Sequence, residues 1–267
     1  GLLQEGYAFG NLLAAIAYYL VFPHWGWRAM FFVGSAPALI TLLACVRVQE
    51  PEAWRESRTD WSTYRQEIFR NRKLFFYLVA LMTMMTFISH GTQDLYPTFL
   101  QKQRRYSVDA TALISGISML GAILGGLTFG HLSDRWGRRR TMVRAVLLAV
   151  AVIPLWVLAP NMSLTILGGF VMQMMVQGAW GVVPVHLNEL SPAPLRGFFP
   201  GFAYQIGAVL SSSVGYVEAV MGEHYSYAAS MAGLAAAVLL IGAVVIWFGP
   251  ESKGVSFTRS ADSLSRN

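Results

Sequence analysis

Long apolar stretches alternate with short charged islands along this 267-residue chain. Each stretch is near the ~20 residues that carry a helix across the hydrocarbon layer of a membrane. Eight of them stand out: Glu5–Phe22, Ala29–Val46, Leu74–Leu100, Ala110–Leu132, Met142–Leu158, Leu164–His186, Gly197–Val220 and Tyr227–Phe248. The pattern predicts an all-α integral membrane protein with about eight transmembrane helices. The third stretch is longer than a crossing needs, which predicts a tilt or a final turn outside the bilayer. Small residues crowd the fourth, where Gly116, Gly121, Gly125, Gly126 and Gly130 recur. Such residues let helices approach closely in lipid. Gly168, Gly169 and Gly207 with Ser211–Ser213 suggest the same use.

Composition agrees with a lipid setting. Charged residues make up 13% of the chain, and 55% are hydrophobic, whereas soluble domains carry about 25% charge. A chain of this length cannot bury eight apolar helices on all sides without lipid. The charge that remains orients the helices, because Lys and Arg collect on the cytoplasmic side. Arg47, Arg55, Arg58, Arg65, Arg70, Arg72 and Lys73 follow the second stretch. Arg135, Arg138, Arg139, Arg140 and Arg144 join the fourth to the fifth. By parity Arg196, Lys253, Arg259 and Arg266 share their side, giving 16 of the 20 basic residues. Only Arg28, Lys102, Arg104 and Arg105 fall opposite. Gly1 and the C-terminus are therefore expected in the cytoplasm, in a multi-pass protein of the plasma membrane (the inner membrane in a bacterium).

The net charge of +6 is explained by this asymmetry and calls for no nucleic acid. A single cysteine, Cys45, excludes an internal disulfide and a thiolate metal cluster. No phosphate loop and no His/Cys ligand group occurs, so nucleotide-driven pumping and metal chemistry lack a basis. Gly1 leads almost directly into a helix without an initiator Met or a signal-peptide pattern, which suggests a fragment. The acidic and basic segment around Trp54–Lys73 is expected to be an interfacial loop with a partly amphipathic stretch, Trp61–Phe69.

Ionisable residues inside a span are costly and usually functional, and one patch has them: Ser89-His90-Gly91-Thr92-Gln93-Asp94. Helical spacing puts His90 and Asp94 on one face, with Thr86 and Pro97 on or near the same stripe. A histidine exchanges a proton near neutral pH, so the pair can hold a proton and a carboxylate together. Protonated His90 would attract the anion, Asp94 is the better candidate for proton coupling, and Thr92 and Gln93 supply hydrogen bonds. The plain alternative is that His90 and Asp94 satisfy one another and pack helices. Gln173 and Gln177 share a face of the sixth span; they either line a cavity or act as hydrogen-bonding glue.

Gly130-His131-Leu132-Ser133-Asp134-Arg135-Trp136-Gly137-Arg138-Arg139-Arg140 resembles the cytoplasmic loop signature of the major facilitator superfamily. Glu189-Leu190-Ser191-Pro192-Ala193-Pro194-Leu195-Arg196-Gly197 is similar to that family's loop between the fourth and fifth helices of a half. Pro250-Glu251-Ser252-Lys253-Gly254 resembles its ending after the last helix, and Gln49-Glu50-Pro51-Glu52 is a weaker echo. The resemblance implies a gating cluster in which Glu189 and Arg196 partner Asp134 and Arg135. It also implies an incomplete family fold: residues 1–48 as the last two helices of the first half, 49–73 as the central loop, 74–249 as the six-helix second half and 250–267 as a cytoplasmic tail. The first four family helices are then absent from the chain, and function needs them.

The stretch Ser89-His90-Gly91-Thr92-Gln93-Asp94-Leu95-Tyr96-Pro97-Thr98 resembles the seventh-helix motif of lactate/pyruvate–proton symporters in the sialate–proton symporter branch. Gly6-Tyr7-Ala8-Phe9-Gly10-Asn11 and Gly26-Trp27-Arg28 also resemble that branch. Ser89, His90, Thr92, Gln93, Asp94 and Thr98 match, whereas Thr86 stands where the motif has Asn. The resemblance implies a non-enzymatic, proton-coupled symporter of a small organic anion, monomeric when complete, with the proton gradient in place of a cofactor. Sialic acid, another organic acid, or a non-transporting membrane sensor remain the alternatives.

Overall fold

The computed structural model describes residues 5–45 and 61–252, which are helical with no strand among them. Helix α1, Glu5–Cys45, is two helices meeting at Gly26, whose φ of 70° lies where glycine alone sits without strain. The two predicted first spans thus run on from one another with only a kink between them. Its second arm presents Phe31 and Phe32 outward, 73% and 79% exposed. Helix α2, Trp61–Arg70, is the amphipathic segment expected in the central loop.

Six helices, or bent helix pairs, are long and apolar enough to cross a membrane among the described residues, so the chain is a multi-pass membrane protein. The over-long third stretch is a bent pair, α3 (Arg72–Gln93) and α4 (Tyr96–Lys102), with the break at Asp94–Leu95. Helices α5 (Val108–Trp136) and α6 (Arg138–Leu158) follow. The sixth stretch is again bent, as α7 (Met162–Trp180) and α8 (Val183–Leu190), with Pro184 in the first turn of α8.

The seventh predicted stretch is interrupted as well. Gly197–Val220 is two short helices, α9 (Phe199–Ser211) and α10 (Val214–His224). The cause lies in its serines. Ser211 and Ser212 turn their hydroxyls back onto the carbonyls of Ala208 and Val209, at 3.2 and 2.8 Å. Such local bonds compete with the helix ladder and bend it. The last span, α11 (Tyr227–Phe248), is continuous.

Helices α5 and α7 pack against each other along their length, and α6 lies between α7 and α11. The other face of the bundle sets α3 against α9 and α11. Glycine makes the α5–α7 approach possible: a Cβ on Gly121 or Gly125 would collide with the main-chain carbonyls of Phe170 and Met174. Gly116 has open space around it, so the helix spends only part of its glycine stripe on this seam. Trp156, Phe99 and Phe199 are the largest fully buried side chains.

Candidate functional site

Two polar constellations interrupt this apolar bundle. The first sits where α3 breaks. One helical turn brings His90 Nδ1 to 3.1 Å from Asp94 Oδ2 and 3.3 Å from Oδ1, as i,i+4 neighbours should meet. Each side chain is 46% exposed among the described residues. Behind it the amides converge. Gln93 and Gln177 both donate to Ser89 Oγ, at 3.1 and 3.4 Å, and Gln173 Nε2 donates to the Thr92 carbonyl at 3.2 Å. Gln173 and Gln177 therefore bridge α7 to α3, and Gln173 also faces a cleft.

That cleft, about 290 Å3, lies between the α3 break, α5 and α7, with Thr92, Gln93, Asp94, Ser115, Ser118 and Gln173 among the residues lining it. Thr92 is fully buried and spends its proton on the Ile88 carbonyl at 2.8 Å. Thr86 lies deeper. Its hydroxyl reaches the carbonyls of Met82, Thr83 and Gly207 at 2.8, 2.9 and 3.2 Å, which ties α3 to α9. Thr98 is partly buried on α4, beyond the break. Trp180 donates to the Met85 carbonyl at 3.1 Å, with Tyr204 edge-on to its ring. Ser115 and Ser118 carry no motif, and nothing in the sequence pattern pointed toward them.

The second constellation occupies the junction of α5 and α6. Gly137 turns the chain there with φ +96°, and a Cβ on it would meet Glu251 Oε2 at 2.8 Å. Arg138, 12% exposed, gives Glu189 a two-pronged bond at 3.2 and 3.0 Å and also binds Asp134 and Ser133. Two parallel N–H···O bonds are the strong form of this pairing. Ser133 in turn donates to the Gly130 carbonyl at 2.7 Å. Arg139 donates to the Gly249 and Trp247 carbonyls at 2.8 and 3.1 Å, at the end of α11. Arg135 is exposed.

The expected partnership shifts by one turn: Glu189 joins Arg138, and Arg196 Nε donates to the Ser191 carbonyl at 3.2 Å. Two members were missed from sequence. Ser252 donates to Glu189 Oε2 at 2.8 Å, and fully buried His186 lies 2.7 Å from Ser252 Oγ through Nδ1. Since the Ser252 proton goes to the carboxylate, Nδ1–H is the donor. The three-residue spacing of His186 and Glu189 on one helix face was the available signal. Lys253, Gly254 and Gln49–Glu52 lie outside the described residues, as do the basic residues Arg47, Arg55, Arg58, Arg259 and Arg266. The side chains of Asn11 and Glu218 do too.

The family model described as Major Facilitator Superfamily matches residues 1–216 and, in a second match, 94–265. A carboxylic acid transporter protein homolog of Saccharomyces cerevisiae is 36% identical over 57% of this chain and 25% of its own length. A cis,cis-muconate transport protein of Acinetobacter baylyi is 27% identical over 81% of this chain and 56% of its own. A sialic acid transporter of Escherichia coli is 26% identical over 86% and 57%. Among solved structures, a proton:xylose symporter bound to 6-bromo-6-deoxy-D-glucose superposes with a TM-score of 0.72 at 17% identity, over 95% of this chain and 64% of that one. The chain thus spans less than two thirds of the length of each of these proteins.

Proposed function

The chain belongs to the Major Facilitator Superfamily, and on that premise we propose that it works in a proton-coupled symporter for a small monocarboxylate such as lactate or pyruvate. The observation that carries this reading is the half-exposed His90–Asp94 pair at the break of α3, 3.1 Å apart and beside a cleft lined by polar side chains. Interrupted helices are where transporters of this kind gather substrate and coupling ion. Protonated His90 attracts the carboxylate of the cargo, and Asp94 carries the coupling proton. Gln93, Ser89 and Thr92 hold the broken helix end in shape, while Gln173 faces the cargo; Thr86 and Thr98 mark the ends of the site.

The two halves of the protein rock about this site, driven by the proton gradient with no cofactor. At the opposite end, Gly130, Asp134, Arg135, Gly137, Arg138, Arg139, Glu189 and Arg196 form the cytoplasmic gate. The protein sits in the plasma membrane as a monomer, and the basic asymmetry supports placing both ends of this chain inside. The muconate and sialic acid relatives support a second reading, in which the cargo is a larger organic acid.

Uptake of radiolabelled lactate or pyruvate into proteoliposomes holding the full-length protein, acidic outside, tests the assignment. It should be abolished by His90→Ala and by Asp94→Asn. Uptake of sialic acid or muconate without either small acid would transfer the reading to the larger cargo.

A further inference from the structure

Gln173 is held in one orientation. The group facing its Nε2 is the Thr92 carbonyl, at 3.2 Å, and a carbonyl only accepts, so the amide nitrogen must lie on that side. The amide oxygen is thereby turned the other way. It is buried, on a side chain only 3% exposed, and has no hydrogen-bond partner among the described residues. Ser115 Oγ, on the facing helix α5, is likewise buried without a partner, and both residues line the same cleft. Buried polar groups left in this condition cost about 1–3 kcal/mol each. One is an obligate acceptor, and the other both donates and accepts.

We infer that Gln173 Oε1 and Ser115 Oγ form a subsite for a hydroxyl group of the cargo, so that the transported acid is a hydroxylated carboxylate rather than its keto or deoxy analogue. This rests on the proposal of carboxylic acid transport and adds the identity of a second functional group. A hydroxyl donates its proton to Gln173 Oε1 and accepts one from Ser115, satisfying both with one atom. A ketone oxygen cannot donate, which sets two acceptors, Oε1 and the ketone, against each other. A methylene satisfies neither. Thr92 and Ser118 do not compete for the role, because both spend their protons on their own helices, Ser118 on the Ile114 carbonyl at 2.8 Å. Asp94 lines the same cleft, which places the proton-coupling group and the hydroxyl subsite against one cargo molecule. A site built to hydrogen-bond a hydroxyl discriminates far more sharply than an apolar pocket of the same shape.

The test is competition against uptake by the full-length protein in proteoliposomes, with two matched series: lactate against pyruvate and propionate, and gluconate against hexanoate. In at least one series the hydroxy acid should compete roughly 10-fold or more better than its analogues. Ser115→Ala, a small change on a helix surface, should shrink that ratio to within about threefold while uptake of the analogues persists. Gln173→Met, which removes the acceptor, should shrink the ratio as well, whatever it does to the overall rate, since Gln173 also holds the Thr92 carbonyl. Acid uptake with equal competition across each series, or a ratio unmoved by Ser115→Ala, would overturn the subsite and mean that the two atoms are served by water only. Absence of uptake of every organic acid would overturn the transport reading itself, and the subsite with it.

Discussion

The α3 break and the α5–α6 junction use the same chemical vocabulary and end in opposite states. At the first, a histidine and a carboxylate meet at 3.1 Å with nearly half of each side chain open. At the second, Arg138 and Glu189 meet at 3.0 Å with only 12% and 6% exposed, and Asp134, Ser133, Ser252 and His186 close around them. The difference is one of stakes. A buried ion pair must be complete, since removing one partner strands the other charge away from water. An open pair contributes little to stability and is left able to exchange its partner for a ligand. One constellation therefore ties helices together, and the other leaves nearly half of each side chain uncovered among the described residues.

Substitutions can break this contrast, and thermal unfolding of the full-length protein in detergent reads them. Glu189→Ala should be the most damaging, at about 3–5 kcal/mol, because it leaves Arg138 buried without its two-pronged acceptor. A loss under 1 kcal/mol would mean that the junction is not the tight network its geometry describes. Gly125→Ala should come next, at roughly 1–3 kcal/mol, as the added methyl forces α5 away from the Met174 carbonyl. A neutral result would dissolve the idea that glycine sets the α5–α7 spacing. His90→Ala should cost least, about 0–1 kcal/mol, while lactate uptake disappears. If it melted the protein as severely as Glu189→Ala, the open pair would be packing and the contrast would be gone.

Much of this was legible in the sequence because membrane helices announce themselves by length and hydropathy. The amphipathic Trp61–Arg70 helix and the i,i+4 meeting of His90 with Asp94 follow from local spacing, whereas the kink that joins the first two stretches at Gly26 is a finding of the structure. The split of the seventh span was hidden: Ser211–Ser213 looked like close-packing residues, and the backbone bonds that break the helix depend on rotamers that no pattern displays. The pairing of Glu189 with Arg138 rather than Arg135 was equally out of reach. Arg135 lies in the last turn of α5 and Arg138 opens α6 beyond the Gly137 turn, and which of them meets Glu189 is decided by how the incoming α8 packs there. The exposure of the His90–Asp94 pair is likewise a property of neighbouring helices rather than of the motif.

The Glu251 carboxylate accepts the backbone N–H groups of Arg138 and Arg139 at 2.9 and 3.3 Å, across 113 residues of sequence. The first turn of α6 is thus capped by a residue that leaves the ribosome long after α6 itself. Chains are made N-terminal end first, at about 5–20 residues per second, so this cap reaches α6 at least several seconds after the helix itself is made. Assembly of the bundle is consequently finished from its far end: the departing edge of α11 is the stitch that closes the seam, and biogenesis factors have that interval in which to act.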